Sequence, residues 1–306
     1  MPTTLAETLI LTTASSTKTR IPAFVYGTAW KKERTADLVY QALKVGFTGI
    51  DVAAQPKHYR EDLVGVALRK ALKDGIVRRE ELFLQTKFTS VAGQDIKNMP
   101  YDPSLPVSAQ VHASVASSLK HLEYPSTMES YIDCVVLHSP LRTIADTITA
   151  WRTLEEYVPS RIRNLGISNT TLSVLQALYT SPEITIKPSV VQNRFYAETG
   201  FDGPLRKFCR DKGIIYQTFW TLTANPRLLR SAPVSQLAKQ AGVEPPVSLY
   251  SLIMGLENMV CLNGTTNSET MVDDLGGLDS VRDWTSKNQT AWQELLAQFK
   301  NLIGET

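Results

Sequence analysis

The sequence predicts an α/β protein, a closed (β/α)8 barrel with an N-terminal hairpin and extra outer helices, in one domain over residues 1–306. Three observations point there. Eight short apolar runs recur along the chain, each followed by a segment with helical spacing of apolar residues. Repeated β-then-α units require parallel pairing with right-handed crossovers, and eight of them in a chain of this length favour closure over an open sheet. Neither a G-x-G-x-x-G nor a P-loop pattern occurs, which argues against a doubly wound nucleotide-binding sheet.

The elements follow in order. Segments flanking A-S-S-T-K-T-R-I-P read as a hairpin-like lid, and residues 23–28 as the first core strand, ending at Gly27. A helix with Leu38, Val39, Ala42 and Leu43 on one face stops at Gly46. The stretch 47–52 is a buried strand with Asp51 at its end, followed by a helix whose apolar face is Leu63, Ala67, Leu68, Ala71 and Leu72. Strand 82–88 leads into a loop over 89–106, rich in Gly, Asp and Pro, whose length is typical of binding loops. Helix 111–122, strand 131–137, helix 144–151, strand 162–167 and helix 172–178 continue the alternation. Strand 189–192, helix 204–212 and strand 214–218 come next, then helices at 233–241 and 246–256. Strand 259–262, a helix opening at Ser268 and an outer helix over 291–300 complete the chain.

Composition narrows the function classes. Apolar residues make up 43% and charged residues 20%, enough to bury a sizeable core. A net charge of +2 provides no electrostatic basis for nucleic-acid or anionic-membrane binding. Cys134, Cys209 and Cys261 are widely spaced, two of them in apolar runs, so buried thiols are expected rather than disulfides or a metal site. With no secretory signal or long apolar run, a reducing cytoplasmic setting is expected.

Four polar residues fall at the C-terminal ends of different strands: Asp51, Lys87, His138 and Gln192. Singly, each has an ordinary explanation as a cap, a core histidine or a surface lysine. Together they occupy one rim, where barrel enzymes gather their catalytic groups.

Here the chain resembles the aldo-keto reductases, barrel enzymes that reduce carbonyls with a nicotinamide cofactor. The resemblance spans Ile21 to Leu278 and rests on ordered segments: G-T-A-W (27–30), G-I-D-V-A (49–53), L-F-L-Q-T-K (82–87), Y-I-D-C-V-V-L-H-S-P (131–140), R-N-L-G-I-S-N (163–169) and V-V-Q-N (190–193). It implies a catalytic set of Asp51, Lys87 and His138, with Tyr59 as proton donor. The residue types suit the chemistry, because hydride arriving at a carbonyl carbon leaves an oxygen that needs a proton and a polar cradle. A phenol titrates near ~10, and the Lys87 ammonium is expected to lower that value.

The resemblance also implies that Ser168, Asn169 and Gln192 hold the nicotinamide carboxamide and that Tyr216 stacks on its ring. Gln217, Thr218 and Leu222 match the pyrophosphate stretch, and Gly27 and Thr28 join the cofactor set. Gly264, Thr265, Thr266, Thr270, Asp273 and Asp274 match the segment around the adenosine end. Trp30, His58, Phe88 and Trp220 are the expected substrate-pocket residues.

Two departures stand out. The family places its tyrosine five residues after the aspartate, a position held here by Pro56, whereas Tyr59 lies eight after it, so A-A-Q-P-K-H-Y carries an apparent insertion. Tyr59 is the expected donor, with His58 the alternative. Gly264 and Thr270 stand where a lysine and an arginine usually grip a 2′-phosphate, and Asp273 and Asp274 add negative charge. NADP(H) is the expected cofactor, with NAD(H) use open. The leading reading is an NAD(P)H-dependent reductase of a small aldehyde or ketone. An isomerase, lyase or cyclase that has lost hydride transfer, and a non-catalytic binding subunit, are the alternatives.

Overall fold

A computed structural model describes residues 5–11, 18–125 and 130–305. Eight parallel strands close into a barrel: β3 (Phe24–Gly27), β4 (Gly49–Asp51), β5 (Phe83–Phe88), β6 (Cys134–Leu137), β7 (Leu165–Ser168), β8 (Val190–Arg194), β9 (Ile215–Phe219) and β10 (Met259–Asn263). They pair in sequence order, and β10 closes the ring against both β3 and β9.

The helices follow the expected alternation, with α1 (Thr35–Val45), α2 (Glu61–Lys73), α3 (Val107–His121), α4 (Ile144–Glu155), α5 (Leu172–Thr180) and α6 (Gly203–Asp211) each after a strand. Between β9 and β10 lie α7 (Pro226–Leu229), α8 (Ala232–Ala241) and α9 (Pro245–Met254), and α10 (Ser268–Lys287) and α11 (Gln289–Leu302) follow the last strand. Helix ends have local causes. Gly46 stops α1 in a left-handed conformation (φ 114°) that a side chain would strain. The Asn267 side chain accepts the Glu269 and Thr270 amides at the start of α10.

Strands β1 (Thr8–Leu11) and β2 (Thr19–Pro22) form an antiparallel hairpin; residues 12–17 between them lie outside the described residues. It plugs the N-terminal end of the barrel, opposite the strand ends where the polar residues collect. Leu11 and Ile21, fully buried, pack against Val25, Phe83, Cys134, Val190, Ile215 and Val260, most of them at or near strand starts. The Asn164 amide donates to Thr19 Oγ1 at 2.7 Å and ties the plug to the barrel.

The 89–106 connection is ordered, contrary to an open loop. A short 3-10 turn at Val91–Gly93 is followed by tertiary ties: Gln94 Nε2 to the Ala54 carbonyl (2.8 Å) and Tyr101 Oη to the Thr89 carbonyl (2.6 Å). All three cysteines are buried and free. Among the described residues, no helix is long and apolar enough to cross a membrane.

Candidate active site

Side chains alternate along a strand, so every second residue faces the barrel interior. On β5 this brings Gln85 and Lys87 inward, and on β8 Gln192 and Arg194. Asp51, at the end of β4, meets both sets. Lys87 Nζ donates to Asp51 Oδ2 at 2.6 Å and to the Val52 carbonyl at 2.9 Å, and the ion pair is almost wholly buried. The other carboxylate oxygen, Asp51 Oδ1, accepts from Gln85 Nε2 (2.7 Å) and Gln192 Nε2 (3.0 Å).

Beneath them Gln217 Oε1 accepts from both amides at 2.8 Å, and Gln217 Nε2 returns a bond to Gln85 Oε1 at 3.0 Å. A carboxylate can only accept, so Asp51 fixes which end of each amide faces it. Gln192 thereby commits its NH2 group downward. The same accounting applies to Asn169, whose Nδ2 donates to the His138 carbonyl (2.8 Å) and to Ser168 Oγ (3.2 Å). The carbonyl oxygens of both amides are left as acceptors.

The insertion after β4 folds into a tight turn. The His58 and Tyr59 amides both donate to the Gln55 carbonyl, at 3.1 and 3.0 Å. Gln55 is itself anchored by donating to the Gly93 carbonyl at 2.6 Å. The extra residues are thus coiled rather than spread, and Tyr59 comes to lie beside Lys87, whose ammonium is 5.0 Å from the ring centre. Its ring meets His138 edge-on at 5.9 Å. His58 turns the other way and stacks on Trp30, ring centres 3.7 Å apart.

The electrostatics correct one expectation. Burial raises the Tyr59 pKa and outweighs the lowering by Lys87, so the phenol holds its proton. Burial pulls the Lys87 ammonium down, but Asp51 and Tyr59 more than offset it, and Lys87 stays charged. His138 is pushed down to about 3 by burial, with Lys87 and His58 adding to the effect, and is neutral. Its Nδ1 is 2.6 Å from Thr89 Oγ1, which leaves Nε2 for the cavity.

These groups open into a cavity of about 1660 Å³, whose walls include Asp51, Tyr59, His138, Asn169 and Gln192. That exceeds the ~300–1,000 Å³ of an ordinary small-ligand site and leaves room for a dinucleotide beside a substrate. Gly27, Ser168, Leu222, Gly264, Thr265 and Thr266 line it, as do Thr270, Asp273 and Asp274. So do Trp30, His58 and Trp220. Lys87 lies just beneath, against Asp51.

Other expected residues are placed elsewhere. Tyr216 faces out of the barrel, buried, with its hydroxyl on Asp202 Oδ2 at 2.7 Å, so it cannot stack on a ligand in the cavity. The strand aromatic on the cavity wall is Phe219. Phe88 likewise faces outward, packs 5.8 Å from the Tyr101 ring and belongs to the core rather than to a substrate pocket. Thr28 and Thr218 are buried, bonded to the Asp51 carbonyl (2.8 Å) and to Thr221 Oγ1 (2.9 Å) respectively, and Gln217 sits below the floor.

The segment expected at the adenosine end has basic neighbours that the family resemblance did not single out. Lys31 Nζ donates to the Gly264 carbonyl at 2.9 Å, and Arg34 to that of Thr266 at 3.3 Å. Burial, with Arg34 nearby, lowers the Lys31 pKa to about 8. Asp274 is taken up by Asn263 Nδ2 (2.7 Å), and burial raises its carboxyl to about 6. Among the described residues, no cluster of side chains has a metal-binding arrangement.

Comparison with known proteins agrees with this architecture. The aldo/keto reductase family profile matches residues 22–250. Aldehyde reductase YPR1 of Saccharomyces cerevisiae is 27% identical over 284 residues, covering 82% of this chain and 81% of its own. The NAD/NADP-dependent indole-3-acetaldehyde reductase of Schizosaccharomyces pombe is 30% identical over 244 residues, 75% of each chain. A crystal structure of an aldo-keto reductase complexed with NADPH superposes with a TM-score of 0.68 at 18% identity, over 88% of this chain and 85% of that one. A match over most of the barrel places this chain in the aldo/keto reductase family.

Proposed function

We propose that the protein reduces a small aldehyde or ketone to an alcohol with NAD(P)H, using Tyr59 as proton donor. The observation that carries this reading is Tyr59 beside the Lys87 ammonium and edge-on to His138, at the wall of a dinucleotide-sized cavity.

The donor and acceptor inventory fits the cofactor. Gln192 and Asn169 each spend their NH2 on protein partners, so their oxygens are left to accept from the amide NH2 of a nicotinamide. Phe219 offers a ring face on the same wall. The cofactor, when bound, supplies hydride to the carbonyl carbon. As negative charge develops on the substrate oxygen, Tyr59 transfers its phenolic proton there, and Lys87 stabilises the resulting phenolate. Asp51 balances Lys87 and holds it under the hydroxyl. The Thr89 contact at Nδ1 leaves Nε2 facing the substrate, and in the tautomer in which Thr89 donates, Nε2 carries the proton that orients the carbonyl.

The test has two parts. Titration with NADPH and with NADH, followed by intrinsic fluorescence, should show saturable binding, and 4-nitrobenzaldehyde should then be reduced. No binding of either nucleotide at millimolar concentration would remove the reductase reading. Tyr59→Phe should lower kcat by about 10²–10⁴, the range for a lost general acid, while nucleotide binding persists. A Tyr59→Phe enzyme that keeps its rate while His58→Ala loses it would move the donor role to His58.

A further inference from the structure

Several buried or half-buried arginines of this chain hold ion pairs, and Arg163, for which none is found among the described residues, rests on Tyr131 away from the cavity. Arg79 pairs with Asp133, Arg206 and Arg210 pair with Glu305, and Arg60 pairs with Asp62. Arg194 has neither an ion pair nor a hydrogen bond among the described residues, and its Nε is buried with no acceptor. Its one partner is a ring: the guanidinium lies 4.3 Å over Trp220. Arg194 and Trp220 both line the catalytic cavity.

Position adds to this. Arg194 follows Gln192 by two residues on β8, on the same face, so it stands ~7 Å nearer the mouth. In register it sits opposite Phe219 of β9. Trp220, next in the chain, is held in the left-handed region at φ 57° with 52% of its surface exposed. A bulky residue adopts that conformation at a cost, and such strain collects at ligand sites. Here it turns the indole so that it shelves the guanidinium and fixes its plane.

A planar cation with unfilled donors, held at the mouth of a site, matches an oxyanion in a two-pronged contact. We infer that Arg194, shelved on Trp220, anchors an anionic group of the ligand: a carboxylate or phosphate on the carbonyl substrate, or the pyrophosphate of the dinucleotide. This rests on the reductase reading and names the ligand chemistry at the mouth of that site.

The experiment compares 4-carboxybenzaldehyde with the neutral 4-nitrobenzaldehyde, using the unsubstituted enzyme, Arg194→Met and Arg194→Lys, alongside NADPH binding by fluorescence. In Arg194→Met, either the kcat/KM ratio of carboxylated to neutral aldehyde falls ten- to hundred-fold, or the NADPH Kd rises by that factor. The first outcome assigns the anchor to the substrate, and the second to the pyrophosphate. Arg194→Lys keeps the charge but loses the fork, and should recover part of the loss. If both the ratio and the Kd of Arg194→Met stay within about twofold of the unsubstituted enzyme, the inference is overturned. An unsubstituted enzyme that binds no dinucleotide would instead fault the underlying reductase reading.

Discussion

At the scale of single residues, the proton inventory of the site determines its pH behaviour. Tyr59 is raised by burial, so under the proposed mechanism reduction, which would consume its proton, runs with the donor loaded across the neutral range. His138, at about 3, changes charge far below that range. The kcat for reduction should therefore be flat from about pH 5 to 9, with no step near the ~6.5 of an ordinary histidine, and should fall only above ~10. Alcohol oxidation needs the phenolate and should rise over that same alkaline limb. A step in kcat for reduction near pH 6.5 would contradict a neutral His138. Lys31, near 8, titrates within the cavity, so nucleotide affinity is the parameter free to change there. Asp51, Lys87 and His138 were legible in the sequence because each ends an apolar run. The sign of the Tyr59 shift was not, since it depends on how much water the folded site excludes.

At the scale of elements, strand parity accounts for both what sequence reading captured and what it missed. Inward positions on β9 are Ile215, Gln217 and Phe219, so Tyr216 has to face the helices, and Phe88 has to face away from its neighbour Lys87. The same alternation would have pointed to Gln85 two residues before Lys87, and to Arg194 two after Gln192. The 89–106 segment shows the opposite case: its order comes from Gln94 and Gln55 reaching distant carbonyls and from Tyr101 folding back onto Thr89, which no local pattern records. Parity also exposes the amide network that joins β4, β5, β8 and β9. Gln217→Leu would leave the Gln85 and Gln192 amides short of an acceptor in a buried site. Stability should fall by about 1–3 kcal/mol per orphaned group in urea unfolding. Because Asp51 loses its support, kcat should drop on the order of tenfold, which is ~1.4 kcal/mol of barrier. A Gln217→Leu enzyme as stable and as fast as its parent would show that the network is dispensable.

At the scale of the whole molecule, the two ends of the barrel serve different purposes. The candidate catalytic groups gather where the strands finish, while the starts of the strands are apolar and plugged by the hairpin. Eight β/α units were readable from periodicity, yet the plug's position was not, because β1 and β2 pair only with each other and meet the barrel through side chains. Conservation of stability at one end and chemistry at the other can be separated by substitution in the plug. Leu11 is fully buried among Val25, Phe83, Val190 and their neighbours, so truncation leaves a cavity that a closed ring of strands cannot collapse to fill. Leu11→Ala should cost about 2–5 kcal/mol, seen as a lower urea midpoint with an unchanged slope. Well below its melting temperature the same variant should reduce 4-nitrobenzaldehyde at the parent rate, since the polar layer of Asp51, Gln85, Gln192 and Gln217 lies between the plug and the cavity. A variant that unfolds as its parent does would place Leu11 outside the stabilising core. One that stays folded but loses turnover would show that the plug sets the geometry of Asp51 and Lys87 through that layer.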